Sequence, residues 1–176
     1  MGSEMCIRDR TAPSQRGQIQ AIARAYQQAG YEPSTVELVE AHGTSTKVGD
    51  ATELSSLSTL WTGLAGGDHV AVGSIKSQIG HLKAAAGIAG VMKAILALHT
   101  NTIPPSAGFV TPNPTVDWNN IPFYVPTSAA EWKKPAQHPR RAGISSFGFG
   151  GTNFHIALEA YLSLIHISEP TRPPEI

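Results

Sequence analysis

Apolar side chains recur at helical spacing in Gln18–Gln28, QIQAIARAYQQ, where Ile19, Ile22, Ala23 and Tyr26 share one face and Gly30 stands just past the end. That spacing predicts an amphipathic helix. Pro33 and Ser34 break the chain, and VELV at Val36–Val39 alternates into a short strand aimed at Glu40 and His42. Gly49–Trp61 reads as a second helix, Gly63–Asp68 as a glycine-containing turn, and the apolar, β-branched HVAVGSI as a buried strand over His69–Ser74. HLKAAAGIAGVMKAILALHT, from His81, is strongly helical. Strand, helix, strand, helix is an order that gives parallel strands, because a parallel pair needs a crossover that is normally helical and right-handed.

The second half is punctuated differently. Thr102–Val116 carries four of the thirteen prolines and is expected to be a long ordered crossing, neither helix nor central strand. Phe123–Val125 reads as a short strand and Trp132–Pro139 as a polar turn over the surface; Arg140 and Arg141 fit a solvated edge or an ion pair. AGISSF at Ala142–Phe147 and FHIALE at Phe154–Glu159 read as paired strands separated by GFGGTN.

Composition narrows the class. The 176 residues suffice for one domain with a core, and 13 basic against 13 acidic side chains argue against nucleic acid or an anionic membrane as a general partner. No apolar run reaches the roughly eighteen residues of a membrane span. A single cysteine, Cys6, excludes an internal disulfide framework or a cysteine-rich metal site and fits a reducing, cytoplasmic compartment. No metal signature is present. Met1–Arg10 and the tail from about Leu162 lack the periodicity of the middle and resemble translated adaptor sequence, so both are expected to be flanks foreign to a domain spanning residues 11–161. Cys6 then has no structured, electropositive setting and is not expected to be a nucleophile.

Candidate chemistry gathers in three places. In Gly73–Gly90, GSIKSQIGHLKAAAGIAG, Lys76 and His81 stand where a strand hands over to a helix N-terminus, whose partial positive charge disfavours an imidazolium. A neutral imidazole there can donate an N–H to a thioester or ketone carbonyl; the plain alternative is a surface lysine and a helix-start histidine with no task. The small residues that follow include two interior glycines costing about 1 kcal/mol each against alanine, so something approaches that backbone closely, and ordinary packing is the simplest candidate. The loop EAHGTSTKVGD offers His42, two glycines and the hydroxyls of Thr44, Ser45 and Thr46 to a polar ligand, or to the cap of the next helix. Asp50 has the look of that helix's N-cap, with Glu53 three residues on, and Glu53 is also placed to face Lys76 as a countercharge. In Gly148–Asn153 the backbone N–H groups of Gly148, Phe149, Gly150 and Gly151 can face a developing oxyanion, with Phe149 as a gate, or simply turn a glycine-rich hairpin. Without a P-loop lysine or a following helix, this loop is not a nucleotide site. His69, His99, His138, His155 and His166 lack a partner motif and read as surface or core residues.

Taken in order, EAHGTST, GSIKSQIGHLKAAAG and SSFGFGGTN resemble the C-terminal half of a β-ketoacyl synthase over roughly Thr11–Tyr161. Their details resemble most the ketosynthase domains of modular polyketide and polyunsaturated-fatty-acid synthases. The resemblance implies an α/β, thiolase-like fold, its C-terminal half a mixed sheet with packed helices, within a five-layer sandwich that is usually homodimeric. It implies decarboxylative Claisen condensation of a malonyl thioester with an enzyme-bound acyl chain. His42 and His81 would then donate to the malonyl thioester carbonyl, with Lys76 and its countercharge Glu53 setting the field. Thr44 and Thr46 would bind the phosphopantetheine arm of an acyl carrier protein, which carries the only cofactor, and Phe149 would be the gate.

The family's nucleophilic cysteine lies in its N-terminal half, and no such motif occurs here, so this chain alone is expected to be inactive. Ser45, where the family more often has glycine, and Ala51–Thr52, in place of a common Pro–Ile pair, are smaller departures. A non-catalytic ketosynthase-like carrier-binding or scaffolding domain is the alternative, and the paired histidines count against it. A thiolase acting on free coenzyme A thioesters would need a second cysteine in this half. A half-domain is also expected to expose a large apolar sheet face where its pseudo-symmetric partner belongs.

Overall fold

The computed structural model describes residues 13–64, 69–148 and 151–161. Helix α1, Gln15–Ala29, starts where the Ser14 hydroxyl accepts the Gly17 N–H and ends at Gly30, whose φ of +74° is the left-handed C-cap that glycine permits. A 3₁₀ turn at Pro33–Thr35 leads into β1, Leu38–Glu40, all three residues of which are buried. Helix α2 is Lys47–Leu60 and β2 is Val70–Gly73. One helical turn, α3, Lys76–Ile79, and a 3₁₀ turn, Lys83–Ala85, precede α4, Ala86–Thr100. Beyond it come β3 (Thr102–Ile103), β4 (Phe123–Tyr124), β5 (Ala130–Glu131), β6 (Arg141–Phe147) and β7 (Asn153–Glu159).

The main sheet has the order β4-β2-β1-β6-β7. β1 is parallel to both β2 and β6, β2 is parallel to β4, and β7 closes the far edge antiparallel to β6. The predicted parallel pair and the paired final strands are therefore both present, and the sheet is mixed. Strand alternation splits the core in two. Val39, Val70 and Val72 join Ile22, Leu57 and Trp61 beneath α1 and α2, while Leu38, Ala71 and Ile144 face Ala94 and Ala97 of α4 on the other side.

The small residues of α4 have a packing reason. A Cβ on Gly90 would lie 3.0 Å from Cγ of Glu40 and 3.3 Å from Cγ2 of Ile144, and one on Gly87 would lie 3.1 Å from Oγ of Ser146. The helix can reach β1 and β6 only because those atoms are missing.

Several expected features sit elsewhere. The long helix begins at Ala86 rather than at His81, because Gly80 and Lys83 both take positive φ and interrupt the run. Asp50 lies inside the first turn of α2; the cap is Thr46, whose Oγ1 accepts the Gly49 N–H at 3.2 Å. Trp132 is no surface residue: it is buried and donates its indole N–H to Glu37 at 3.1 Å, so the segment 130–140 is fastened onto the sheet. Arg141 does form an ion pair, with Glu159 at 2.7 Å. Exposed apolar surface among the described residues includes part of the sheet face, at Phe154 and Ile156 of β7, and the outer side of α4, where Ile88, Met92, Ile95 and Leu96 are at least half exposed.

Replacing Gly90 by alanine gains helix propensity of about 1 kcal/mol but forces a methyl into a filled contact, which costs about 1–3 kcal/mol. The Gly90→Ala chain is therefore expected to unfold at lower urea concentration than the parent, and a raised midpoint would remove packing as the reason for this glycine.

Candidate active site

β1 and β2 end side by side, and both candidate loops leave from their C-terminal ends. The Ala41 N–H donates to the Gly73 carbonyl at 2.7 Å, which carries the strand pairing one residue into the first loop. His42 follows at once. Its backbone N–H donates to Oε1 of Glu53 at 2.8 Å, and that of Gly43 donates to Oε2 at 3.0 Å. A buried carboxylate from α2 thus grips the loop by two consecutive amides. Gly43 has φ +42°, and a Cβ there would meet Cβ of Ser74 at 2.9 Å, so only glycine lets the two loops pass. Ser45 has φ +59°, a left-handed conformation in a residue with a Cβ. That strain is the physical content of its departure from glycine.

The second loop runs through α3, turns at Gly80 with φ +74°, and presents His81 to solvent. Nδ1 of His81 accepts the Lys83 N–H at 3.0 Å. A nitrogen that accepts carries no proton, so this contact selects the His81 tautomer with its hydrogen on Nε2. The rings of His42 and His81 stand edge to face, their centroids 5.8 Å apart at 84°, and Phe147 closes on His42 at 5.9 Å. Nδ1 of His42 is buried without a partner among the described residues. A proton there would be an orphan donor, so this ring also keeps its hydrogen on Nε2.

Electrostatics keep His42 neutral. Burial, then the Lys76 charge, then His81 lower its pKa from 6.5 to about 4. Burial also lowers Lys76, against the opposing pull of Glu40 and then Glu53. Glu53 is raised to about 7 by burial, which outweighs the N–H groups of Gly43 and His42 that favour its ionised form; Asp50 raises it further and Lys76 lowers it. Glu53 clamps the first loop through two amides and also acts on Lys76 as a countercharge. Glu40 weighs more on Lys76, and Glu40 itself is ion-paired to Lys93 at 2.8 Å.

Two cavities meet at the pair. One of about 860 Å³ is lined by His42, Phe147, Ala84 and Ser146; the other, about 690 Å³, by Lys76, Ser74 and Ser106. Thr44, Thr46, Glu53 and His81 line both. Thr46 spends a lone pair on the helix cap and lies 3.4 Å from the Thr44 hydroxyl. Phe149 and Gly150 lie outside the described residues. Gly148 donates its N–H to the Thr152 carbonyl at 2.7 Å, closing the hairpin, so that group is not free for an oxyanion; Gly151 borders the larger cavity with φ +82°. Among the described residues, no group of three or more His, Cys, Asp or Glu could hold a metal ion.

Three contributors escaped sequence reasoning, Glu40, Lys93 and Phe147, while His155 falls in the core as one of the two expected settings. Glu40 and Lys93 form the buried ion pair; their signal was a charge closing an apolar strand and a lone charge in an apolar helix. Phe147 packs on His42. His155 is a core residue with two partners, Oγ of Ser145 at 3.1 Å and the Tyr26 hydroxyl at 2.9 Å.

Residues 5–110 match the beta-ketoacyl synthase C-terminal domain, and residues 112–174 match the ketoacyl-synthetase C-terminal extension. The chain is 44% identical to the hybrid PKS-NRPS synthetase pytA of Aspergillus terreus over 94% of its own length and 26% of that protein's. It is 50% identical to a polyunsaturated fatty acid synthase polypeptide of a Thraustochytrium species, over 84% of the chain and 5% of that protein. Among solved structures, the ketosynthase from module 6 of the bacillaene synthase of Bacillus subtilis superposes with a TM-score of 0.82 at 42% identity, covering 88% of this chain and 28% of that one. The chain thus spans about a quarter or less of these relatives.

The His42 ring signal in a proton-carbon NMR titration is expected to move with a midpoint of about 4. Lys76→Met should raise that midpoint, because it removes a positive charge that opposes protonation. With its folded pKa below 6.5, His42 favours folding above that value and loses the contribution as pH falls towards about 4, while Glu53, raised, loses its contribution as pH rises towards about 7. A His42 midpoint near 6.5 would overturn this account.

Proposed function

The chain belongs to the β-ketoacyl synthase family as its C-terminal domain, with the thiolase-like fold of ketosynthases, and from that premise we propose that it supplies the decarboxylating half of a condensing site. The reaction is a decarboxylative Claisen condensation in polyketide or fatty-acid synthesis, with malonyl delivered on the phosphopantetheine arm of an acyl carrier protein. The observation that carries this reading is the edge-to-face contact of His42 and His81 at 5.8 Å. Each ring has its donor on Nε2, and Lys76 lies close enough to depress His42.

Two such donors on the malonyl thioester oxygen stabilise the negative charge that develops when the carboxylate carbon–carbon bond breaks. Carbon dioxide leaves and its bonding electrons pass into the enolate. The enolate carbon attacks the acyl thioester carbonyl, a new carbon–carbon bond forms, and the nucleophile's thiolate departs. Protonating His42 would bring a second positive charge up to Lys76 inside a buried site, and burial and that charge both oppose it. Thr44 and Thr46, on the shared wall of both cavities, suit the amides of the pantetheine arm. Phe149, between Gly148 and Gly150, is assigned the gate.

The acyl-bearing cysteine belongs to the family's N-terminal half, which would cover the apolar outer side of α4 and complete a homodimeric enzyme. The 176 residues alone, incubated with a radiolabelled acyl thioester, are expected to take no covalent label; stable label on the protein would sink this division of labour. Joined to an N-terminal ketosynthase half, the chain should decarboxylate malonyl carrier, and His42→Ala or His81→Ala should each slow that step roughly 100- to 1,000-fold. Unchanged decarboxylation in both variants would favour a carrier-binding domain without chemistry.

A further inference from the structure

The buried ion pair between Glu40 and Lys93 lies behind the loops rather than in them, and the condensation just proposed makes no use of it. Glu40 is the last residue of β1 and is 3% exposed; Lys93 reaches it from α4 with Nζ 2.8 Å from Oε2. The other oxygen, Oε1, accepts the backbone N–H of Ile75, the residue that opens α3. One carboxylate therefore joins a central strand, the long helix and the start of the segment that carries Lys76 and His81.

Room for the pair is left by two missing side chains. Gly73 stands opposite Glu40 in the parallel register, and a Cβ on it would be 3.6 Å from the Lys93 ammonium and 2.8 Å from the Ser106 hydroxyl. Gly90 leaves the 3.0 Å approach to Cγ of Glu40. Stability is a weak reason for such a feature, since a buried ion pair is often matched or bettered by apolar residues of similar volume. A geometric reason is at hand. α3 is a single turn without a side-chain cap, and an isolated turn that short does not hold itself. Between Ser74 and His81 the described hydrogen bonds are largely internal to the turn, and the Ser74 hydroxyl reaches the His42 carbonyl only at 3.5 Å.

We propose that Glu40, fixed by Lys93, is a positioning residue: through the Ile75 N–H it sets the Ile75–His81 segment so that the His81 ring meets that of His42. The proposal deepens the reading of these histidines as a donor pair and rests on it for its functional meaning. Two full-chain variants separate this role from plain charge burial. Glu40→Gln with Lys93→Met is neutral and keeps an acceptor for Ile75; Glu40→Met with Lys93→Met is neutral and has none. The readouts are the nuclear Overhauser contact between the His42 and His81 rings and the exchange protection of the Ile75 amide.

The glutamine variant is expected to keep both signals. The methionine variant should lose the ring contact and at least about tenfold of the Ile75 protection while β6 and β7 amides stay protected. A methionine variant that keeps the ring contact would overturn the proposal, as would a glutamine variant that folds but loses it. The unaltered chain decides the matter if either variant fails to fold: its Ile75 amide should exchange as slowly as those of β2, and exchange at the rate of an unprotected amide would refute the anchor. None of these readouts depends on turnover, so they stand apart from the decarboxylation assay that tests the reaction.

Discussion

Backbone amides that run past the end of a strand lose their ladder partners, and in this protein buried carboxylates take them up. Glu53 holds the N–H groups of His42 and Gly43, and Glu40 holds that of Ile75. The two glutamates come from different elements and each serves a different loop. A charged acceptor binds an amide about twice as strongly as a neutral one, and a rigid clamp of this kind lets a loop carry a side chain at a fixed place without becoming secondary structure. These grips hold the starts of the two loops that carry His42 and His81.

The cost of that arrangement is electrostatic. Carboxylates buried deeply enough to grip a loop are pushed towards protonation, as Glu53 is, and the compensation comes from amides and from lysine. Lys93 neutralises Glu40 directly at 2.8 Å. Lys76 stays unpaired by any ion bridge among the described residues, half-buried between Glu40 and Glu53, and its charge instead falls on His42. Burial first, and then the lysine charge that steadies the carboxylates, keep the His42 imidazole uncharged, the form that donates a single directed hydrogen bond.

Helix α4 serves two faces. Its small residues, Gly87, Gly90, Ala94 and Ala97, let it press onto β1 and β6, while Ile88, Met92, Ile95 and Leu96 point away from the sheet. A helix apolar all round is a helix meant to be covered on both sides. The chain spans about a quarter or less of the relatives it matches.

Much of this was legible in the residues themselves. Periodicity marked α1, α2 and the strands of the sheet, since burying one face imposes a period on local sequence, and the two histidine loops were marked by polar residues and glycines after apolar runs. Motif order was enough to pair His42 with His81. Sequence could not say that Thr46 rather than Asp50 caps α2, because both are good caps and the choice depends on where the loop leaves β1. Nor could it assign Glu53 to the loop amides and Glu40 to Lys93, or bury Trp132. Partners separated by 53 positions, as Glu40 and Lys93 are, leave no local trace. Local pattern determined which segments are helix or strand and which loops carry chemistry; only the packing of α2 and α4 on the sheet decided which charge meets which amide, because burial is a property of the assembled layers.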